Sequence, residues 1–320
     1  MKIKRQFGFY IRPRPPYDFA LTLHKPAGWA LFTPFEVFYR KNVLWTALHL
    51  EGELTGLKLT NRGSTGKPLI LAEVFMKETP SAGQEKTIRE TLAGKLNAGQ
   101  DLEGFYRMAR KDPVLKHAVK DLYGMHDTDA ANLFAEATLA ILLQMAPLKR
   151  SGQMWECVIR SYGEQAVFDG VKVFVWPAPE KLAEAGENEL KKRCNLGYRA
   201  RYLAGAAGMI ARGGFPSLEE LKKMPFPESR RKLLELPGIG DYSADIIGAY
   251  PGFPIDAWSA EVFAVLFWGA ASAGKGRDLV SKVKKEGLER WGEYCWMAFL
   301  YVVHDLPGLS RKLGLDMRLQ

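Results

Sequence analysis

The chain reads as an α+β protein, with an N-terminal antiparallel β-sheet domain carrying some helices and a mostly α-helical bundle after it. Three observations predict this. Over roughly the first 80 residues apolar and polar positions alternate, the period of half-buried strands. From about Glu85 apolar residues recur three and four apart, the period of amphipathic helices. The later runs are short and cut by Gly and Pro, which makes a compact bundle and not a coiled coil. The expected domains are residues 1–100, strand-rich, and 101–320, helical.

The strand segments are "DFALTLH", "EVFYRKNVLWTALHLEG" and "PLILAEVFM", with Pro and Gly between them. The first helices are "EKTIRETLAGKLNAG", "LEGFYRMARKD", "PVLKHAVKDLYG" and "AANLFAEATLAILLQM". Further on, Ser217 precedes Glu220 by three residues, a capping-box pattern, while Gly213, Gly214, Pro225 and Pro227 interrupt the periodic runs. The remainder of the chain is expected to be nearly all helix.

At 320 residues, 47% hydrophobic and 12% aromatic, the chain can bury two ordinary cores. A net charge of +9 favours an anionic partner: nucleic acid, an acidic surface or a phosphorylated ligand. No apolar run approaches the ~20 residues that span a bilayer, and the basic start "MKIKRQFGFYIRPRPP" lacks the apolar core of a secretory signal. The expectation is a cytoplasmic, nucleoid-associated or nuclear protein, neither secreted nor membrane-bound. Cys157, Cys194 and Cys295 are too scattered for a zinc knuckle or iron–sulfur loop, and their odd number argues against a disulfide framework, so they read as reduced packing residues. His24, His49, His117, His126 and His304 lack metal-ligand spacing; neither metal nor cofactor is expected.

The most informative stretch is "RRKLLELPGIGDYSADIIGAY". A helix with Leu233, Leu234 and Leu236 ends at Pro237, Gly238 and Gly240 flank Ile239 in a turn, and a second helix begins near Asp241 with Ala244 and Ile247 inward. Glycine reaches positive φ and admits a second backbone closely, so amides of the turn and of the new helix can converge on one phosphate. A plain helix connection needs the same glycines, and "GIG" with no third glycine and no preceding strand is not a dinucleotide fingerprint. The whole pattern of apolar pair, "LPGIG" and "ADII" resembles the helix-hairpin-helix element of DNA repair proteins.

Beyond it, "GFPID" at 252–256 and "AWSAEVFAVLFWG" extend the resemblance to the helix-hairpin-helix (HhH-GPD) superfamily of DNA glycosylases. The resemblance implies that Asp256 is the catalytic carboxylate. The chemistry suits it, because cleaving an N-glycosidic bond builds positive charge on the sugar, which a carboxylate stabilises. An aspartate opening a helix is also a common N-cap, and both roles can coexist. Some superfamily members carry a lysine two positions after the second hairpin glycine and form a Schiff base with it; Tyr242 stands there, which implies a monofunctional enzyme using water. AlkA-type 3-methyladenine glycosylases place an aromatic residue at this point, where Tyr242 would stack on an electron-poor alkylated base, unless it only packs the hairpin. Trp258 either lines the same base pocket or plugs the core.

The similarity runs from about 85 to 305 and is strongest from 195 to 270. "DLEGFYRMARKDPVLKHAVKDLYG" resembles the connection that follows the sheet domain in AlkA-type and 8-oxoguanine glycosylases. "FAEATLAILLQMAPL" matches the helix and turn before the hairpin, which makes Gln144 and Met145 candidates for the wedge filling the gap left by a flipped nucleotide, with core packing the alternative for Met145. "GYRARY" is the most family-like part of the helices that follow; Arg199 and Arg201 are assigned there to helix faces or salt bridges. Leu236, Gly238, Ile239 and Gly240 are the expected DNA grip, with Arg230, Arg231 and Lys232 contacting phosphate. The loop "GAYPGF" is shorter than the family's usual one, and no cysteine loop follows the domain, which weighs against the iron–sulfur branches. The implied partner is double-stranded DNA with a damaged base, bound by a monomer. The alternatives are an 8-oxoguanine, hypoxanthine or uracil glycosylase on the same fold, or a non-catalytic DNA-binding repair protein.

Overall fold

A computed structural model of the chain describes residues 2–248, 252–269 and 276–315; residues 249–251, the middle of the "GAYPGF" loop, lie outside the described residues. In chain order the first half carries β1 (Lys4–Ile11), α1 (Phe19–Leu23), β2 (Val37–Tyr39), β3 (Val43–Leu50), β4 (Glu53–Asn61), β5 (Ile70–Met76), α2 (Ala82–Lys95), α3 (Glu103–Ala109), α4 (Leu115–Asp121) and α5 (Leu133–Leu143). The second half carries α6 (Leu148–Tyr162), β6 (Glu164–Phe168), β7 (Val171–Val175), α7 (Pro179–Cys194), α8 (Arg199–Ala211), α9 (Leu218–Lys223), α10 (Phe226–Leu233) and α11 (Asp241–Gly248). It ends with α12 (Ala257–Trp268), α13 (Gly276–Trp291), α14 (Cys295–His304) and α15 (Leu306–Leu313). The α+β class, sheet first and helices after, is as the periodicity predicts, but "DFALTLH", expected as a strand, is helix α1, started by Asp18, whose side chain accepts from Leu21 N–H at 2.9 Å.

The chain forms two compact units: Met1–Asp101 with Gly124–Ser217, and Leu102–Tyr123 with Leu218–Gln320. It leaves the first unit at Asp101/Leu102 and returns to it at Gly124. The reason is apolar burial. Ala135 of α5, Ile159 of α6 and Trp176 pack with Phe35 from the sheet segment, and Thr33 Oγ1 donates to the Phe174 carbonyl at 2.6 Å. Sequence period reports which face of a helix is apolar but not which unit covers it.

In the first unit the five-stranded antiparallel sheet has the order β1-β5-β4-β3-β2. Leu44 lies opposite Leu59 and Leu57 opposite Val74, so alternate residues point to one face, where they bury against Phe19 and Leu23 of α1 and Ile88 and Leu92 of α2. The other face carries the β6–β7 hairpin through Ala47, Leu54 and Phe75 against Ala166, Phe168 and Val173. Gly56 permits that contact, since a Cβ there would come within 2.7 Å of the Phe168 ring. This hairpin departs from the all-helix expectation. Its turn, Asp169 (φ 47) and Gly170 (φ 79), is the Asp-Gly type whose twist matches antiparallel strands, and the signal stands in "VFDGVKVFV".

A second correction concerns the cysteines. Cys157 on α6 and Cys194 at the end of α7 form a disulfide, with Cα atoms 5.5 Å apart, while Cys295 is free and buried. An odd count excludes a complete framework but not one bridge, and the helix packing that joins residues 37 apart is invisible to spacing.

The second unit is held by an aromatic core. Phe253 meets Phe263 at 5.3 Å and Trp291 at 5.7 Å between ring centroids. Trp291 Nε1 donates to the buried Asp112 carboxylate at 3.0 Å, so the polar edge of the indole is satisfied. Gly287 makes room for Phe253, whose ring would lie 2.2 Å from a Cβ at that position. Because Phe253 and Ile255 are both buried, the segment leading into α12 is anchored on either side of Pro254, and Asp256 emerges from a fixed stem.

Candidate active site and hairpin

The hairpin of the second unit consists of α10, the turn 234–240 and α11. Leu233, Leu236 and Ile239 are buried and tie the turn to the core, and Ala244 and Ile247 do the same for α11, as expected. Gly238 has φ 83, a conformation glycine adopts without penalty, and Ile239 N–H donates to the Leu236 carbonyl at 3.0 Å. Gly240 needs no positive φ, and a Cβ there would meet nothing within 4 Å among the described residues. The fold therefore supplies no internal reason for glycine at 240. The intrahelical ladder starts with Ala244 N–H to the Gly240 carbonyl at 2.8 Å, leaving the first amides of α11 pointing out of its N-terminus.

The basic residues before the turn divide. Arg230 Nε binds Asp245 Oδ1 at 2.7 Å and its Nη2 binds Asp241 Oδ1 at 2.5 Å, while Lys284 Nζ of α13 binds Asp245 Oδ2 at 2.8 Å. Asp245 is buried, and its hydrogen bond to Arg230 raises the guanidinium pKa further. Arg230, expected on phosphate, is thus engaged in clamping α10 to α11. Lys232 pairs with Glu235 at 3.1 Å. Arg231 stands exposed with no ion pair among the described residues. A carboxylate inside "ADII", on the inward side of an otherwise apolar helix face, is the signal that a cation must meet it.

Asp256 is the N-cap of α12. Ser259 N–H and Ser259 Oγ–H donate to Asp256 Oδ1 at 2.8 and 2.7 Å, and Asp256 N–H donates to Ser259 Oγ at 2.8 Å, a reciprocal capping box. This partner was readable from the Asp-x-x-Ser spacing but is absent from the sequence expectations. The second carboxylate oxygen, Oδ2, has no hydrogen-bond partner among the described residues. One oxygen thus fixes the orientation of the group. Tyr242 is half-buried and close enough to Asp256 to feel its charge: burial raises the phenol pKa and the Asp256 carboxylate adds to the rise, so the ring stays neutral. Trp258 is half-buried, and its Nε1 is buried without an acceptor among the described residues.

In the first unit, α5 ends at Leu143 and the chain turns out at Gln144. Met145 is left-handed (φ 47) and 93% exposed, so the core alternative is excluded for it. Gln144 is half-buried. Arg199, expected on a helix face or in a salt bridge, is buried and donates to the Gln144 carbonyl. Among the described residues no group of three or more His, Cys, Asp or Glu could hold a metal, and no helix is long and apolar enough to cross a membrane.

No family model matches the chain. It is 29% identical over 161 residues to the DNA-3-methyladenine glycosylase of Bacillus subtilis (strain 168), a match covering 49% of this chain and 53% of that protein, so the chain spans about half the length of that relative. It is 24% identical over 259 residues to a probable N-glycosylase/DNA lyase of Methanothermobacter thermautotrophicus, covering 74% of this chain and 79% of that protein. A solved 3-methyladenine DNA-glycosylase from Archaeoglobus fulgidus superposes with a TM-score of 0.74 over 96% of this chain and 99% of that one, at 19% identity. The chain has the helix-hairpin-helix (HhH-GPD) glycosylase fold. Within that class its relatives include a DNA-3-methyladenine glycosylase and a probable N-glycosylase/DNA lyase.

Proposed function

We propose that the protein is a monofunctional DNA glycosylase of base excision repair that hydrolyses the N-glycosidic bond of a flipped, alkylated purine. The observation that carries this is the pairing of a phosphate-ready hairpin with an oriented carboxylate in the same unit: Gly240 and the outward amides of α11 on one side, Asp256 with its cap-bound Oδ1 and open Oδ2 on the other. The amides hold a backbone phosphate without requiring a base sequence. Leu236 and Ile239 set the turn from below, and Arg231 adds charge beside it, with Lys232 in reserve.

As the glycosidic bond lengthens, the sugar gains positive charge and the leaving purine takes the electron pair. Asp256 stabilises that cation and orients a water for attack at C1′. Tyr242 has no amine to form a Schiff base, which supports hydrolysis without strand cleavage; its neutral ring suits stacking on a cationic alkylated base, with Trp258 beside it in the base pocket. Met145, with Gln144 behind it, enters the gap left by the extruded nucleotide. Residues 101–320 carry binding and catalysis, acting as a monomer on duplex DNA in a cytoplasmic or nuclear compartment.

A second reading keeps the hairpin and Asp256 but adds a lyase step, favoured by the name of the Methanothermobacter relative. Base release across duplexes holding 3-methyladenine, 7-methylguanine, hypoxanthine, uracil or 8-oxoguanine decides between them, with borohydride present in a parallel arm. Release of alkylated purines without a trapped adduct is expected. A borohydride-trapped complex overturns the hydrolytic reading, and binding without release of any base overturns the enzyme.

A further inference from the structure

The turn that carries Met145 is held in an unfavourable shape with the help of a buried arginine. Gln144 leaves α5 in an extended conformation (φ −61, ψ 128) and Met145 follows at φ 47, a region L-residues with a Cβ avoid, with its side chain 93% in solvent. Among the described residues that side chain is almost wholly unpacked, so side-chain burial does not reward the conformation. What holds the turn is the Gln144 carbonyl, which accepts from Arg199 Nε at 3.1 Å, from Arg199 Nη2, and from the Tyr198 hydroxyl at 3.5 Å.

That carbonyl shares a rigid peptide plane with the Met145 N–H. Gripping the oxygen from two directions with the planar guanidinium fork fixes the plane, and with it the direction in which the Met145 Cβ leaves the chain. Arg199 is itself buried, with no carboxylate partner among the described residues, and its guanidinium lies 4.7 Å from the Tyr198 ring centroid. A buried cation whose strongest contact is one neutral carbonyl is costly to maintain, so its geometry is devoted to that carbonyl. The loop before α8 is fastened as well: Arg150 Nη2 donates to the Asn195 carbonyl at 2.5 Å, and Cys194, the preceding residue, is in the disulfide to Cys157.

We infer that Arg199 is a positioning residue for Met145: it locks the Gln144–Met145 peptide so that the methionine projects in advance as a preformed wedge, and it acts on nucleotide extrusion only through that side chain. The inference rests on the proposed wedge role of Met145.

The test is a double-mutant cycle on the full chain with Met145→Ala, Arg199→Lys and both together. Base opening is read by 2-aminopurine fluorescence beside the lesion, and duplex affinity is read separately. Lysine keeps the charge but cannot grip one oxygen with two coplanar donors. Arg199→Lys is expected to reduce opening about tenfold, the worth of one charge-assisted hydrogen bond, with duplex affinity within about threefold of wild type. On the Met145→Ala background it should reduce opening no further. Opening unchanged by Arg199→Lys while Met145→Ala impairs it overturns the inference alone. So do additive losses in the double variant, which mean that Arg199 acts on DNA or on the fold directly. Opening unchanged by Met145→Ala overturns the wedge reading itself. If Arg199→Lys does not fold, Arg199→Gln, which retains a single donor, takes its place under the same criteria.

Discussion

Replacing Asp256 by asparagine and, separately, by alanine divides its role as helix cap from its proposed role as catalytic carboxylate. The carboxylate accepts from Ser259 N–H at 2.8 Å and Ser259 Oγ–H at 2.7 Å, and an asparagine carbonyl oxygen can occupy the same place. Asparagine and aspartate cap helices about equally well, so Asp256→Asn should change stability by less than about 0.5 kcal/mol, whereas Asp256→Ala loses the cap and costs about 1 kcal/mol. In a domain of this size that alanine loss lowers Tm by about 2–4 °C. Excision behaves differently. Both variants remove the negative charge facing the developing sugar cation, worth roughly 4 kcal/mol, or about a thousandfold in rate. The assay is single-turnover base release with enzyme in excess, alongside duplex affinity and thermal unfolding of both variants. The expected pattern is equal loss of excision, retained affinity, and a Tm drop confined to alanine. Wild-type release by Asp256→Asn refutes the catalytic role, and equal Tm loss in the two variants refutes the cap argument.

Further predictions follow from the same contacts. Asp245→Asn removes the buried charge shared by Arg230, which keeps Asp241, and Lys284, whose side chains are each 28% exposed, and should cost about 2–3 kcal/mol in urea unfolding, less than for a fully buried pair; a change under about 0.5 kcal/mol would show that the clamp contributes nothing. Thiol titration of the chain unfolded without reductant should find one thiol, Cys295, and finding three would refute the bridge; reducing it should destabilise by up to about 4 kcal/mol for residues 37 apart. Asp305 has its pKa raised to about 6 by burial and by Asp121. The folded state therefore holds this proton more tightly than the unfolded chain, a contribution to stability that is complete below pH 3.8 and lost as pH rises through about 6. Asp305→Asn should accordingly stabilise the protein by about 1–2 kcal/mol at pH 8 and by much less at pH 4, and a gain independent of pH would count against the assignment.

Much of the candidate site is legible in the chain itself because its determinants are local. The period of apolar residues separates strands from helices, "LPGIG" specifies the turn through Gly238 and the buried Ile239, and the spacing of Asp256 to Ser259 writes the cap. Tyr242 in place of a lysine is likewise a statement about one position. The Asp169-Gly170 hairpin was equally local, and its absence from the sequence expectations is a missed signal and not a hidden one. What only the tertiary structure decided involves partners distant along the chain. Arg230, a phosphate candidate, is also tied to Asp245, which Lys284 reaches from 39 residues away on a packed helix. Arg199 finds the Gln144 carbonyl across 55 residues, Cys157 finds Cys194 across 37, and α5 and α6 join the sheet because Phe35 shares their core. Local backbone preference and periodicity are set by near neighbours, but which charges neutralise one another depends on how faces are brought together by burial, and that is a property of the whole fold.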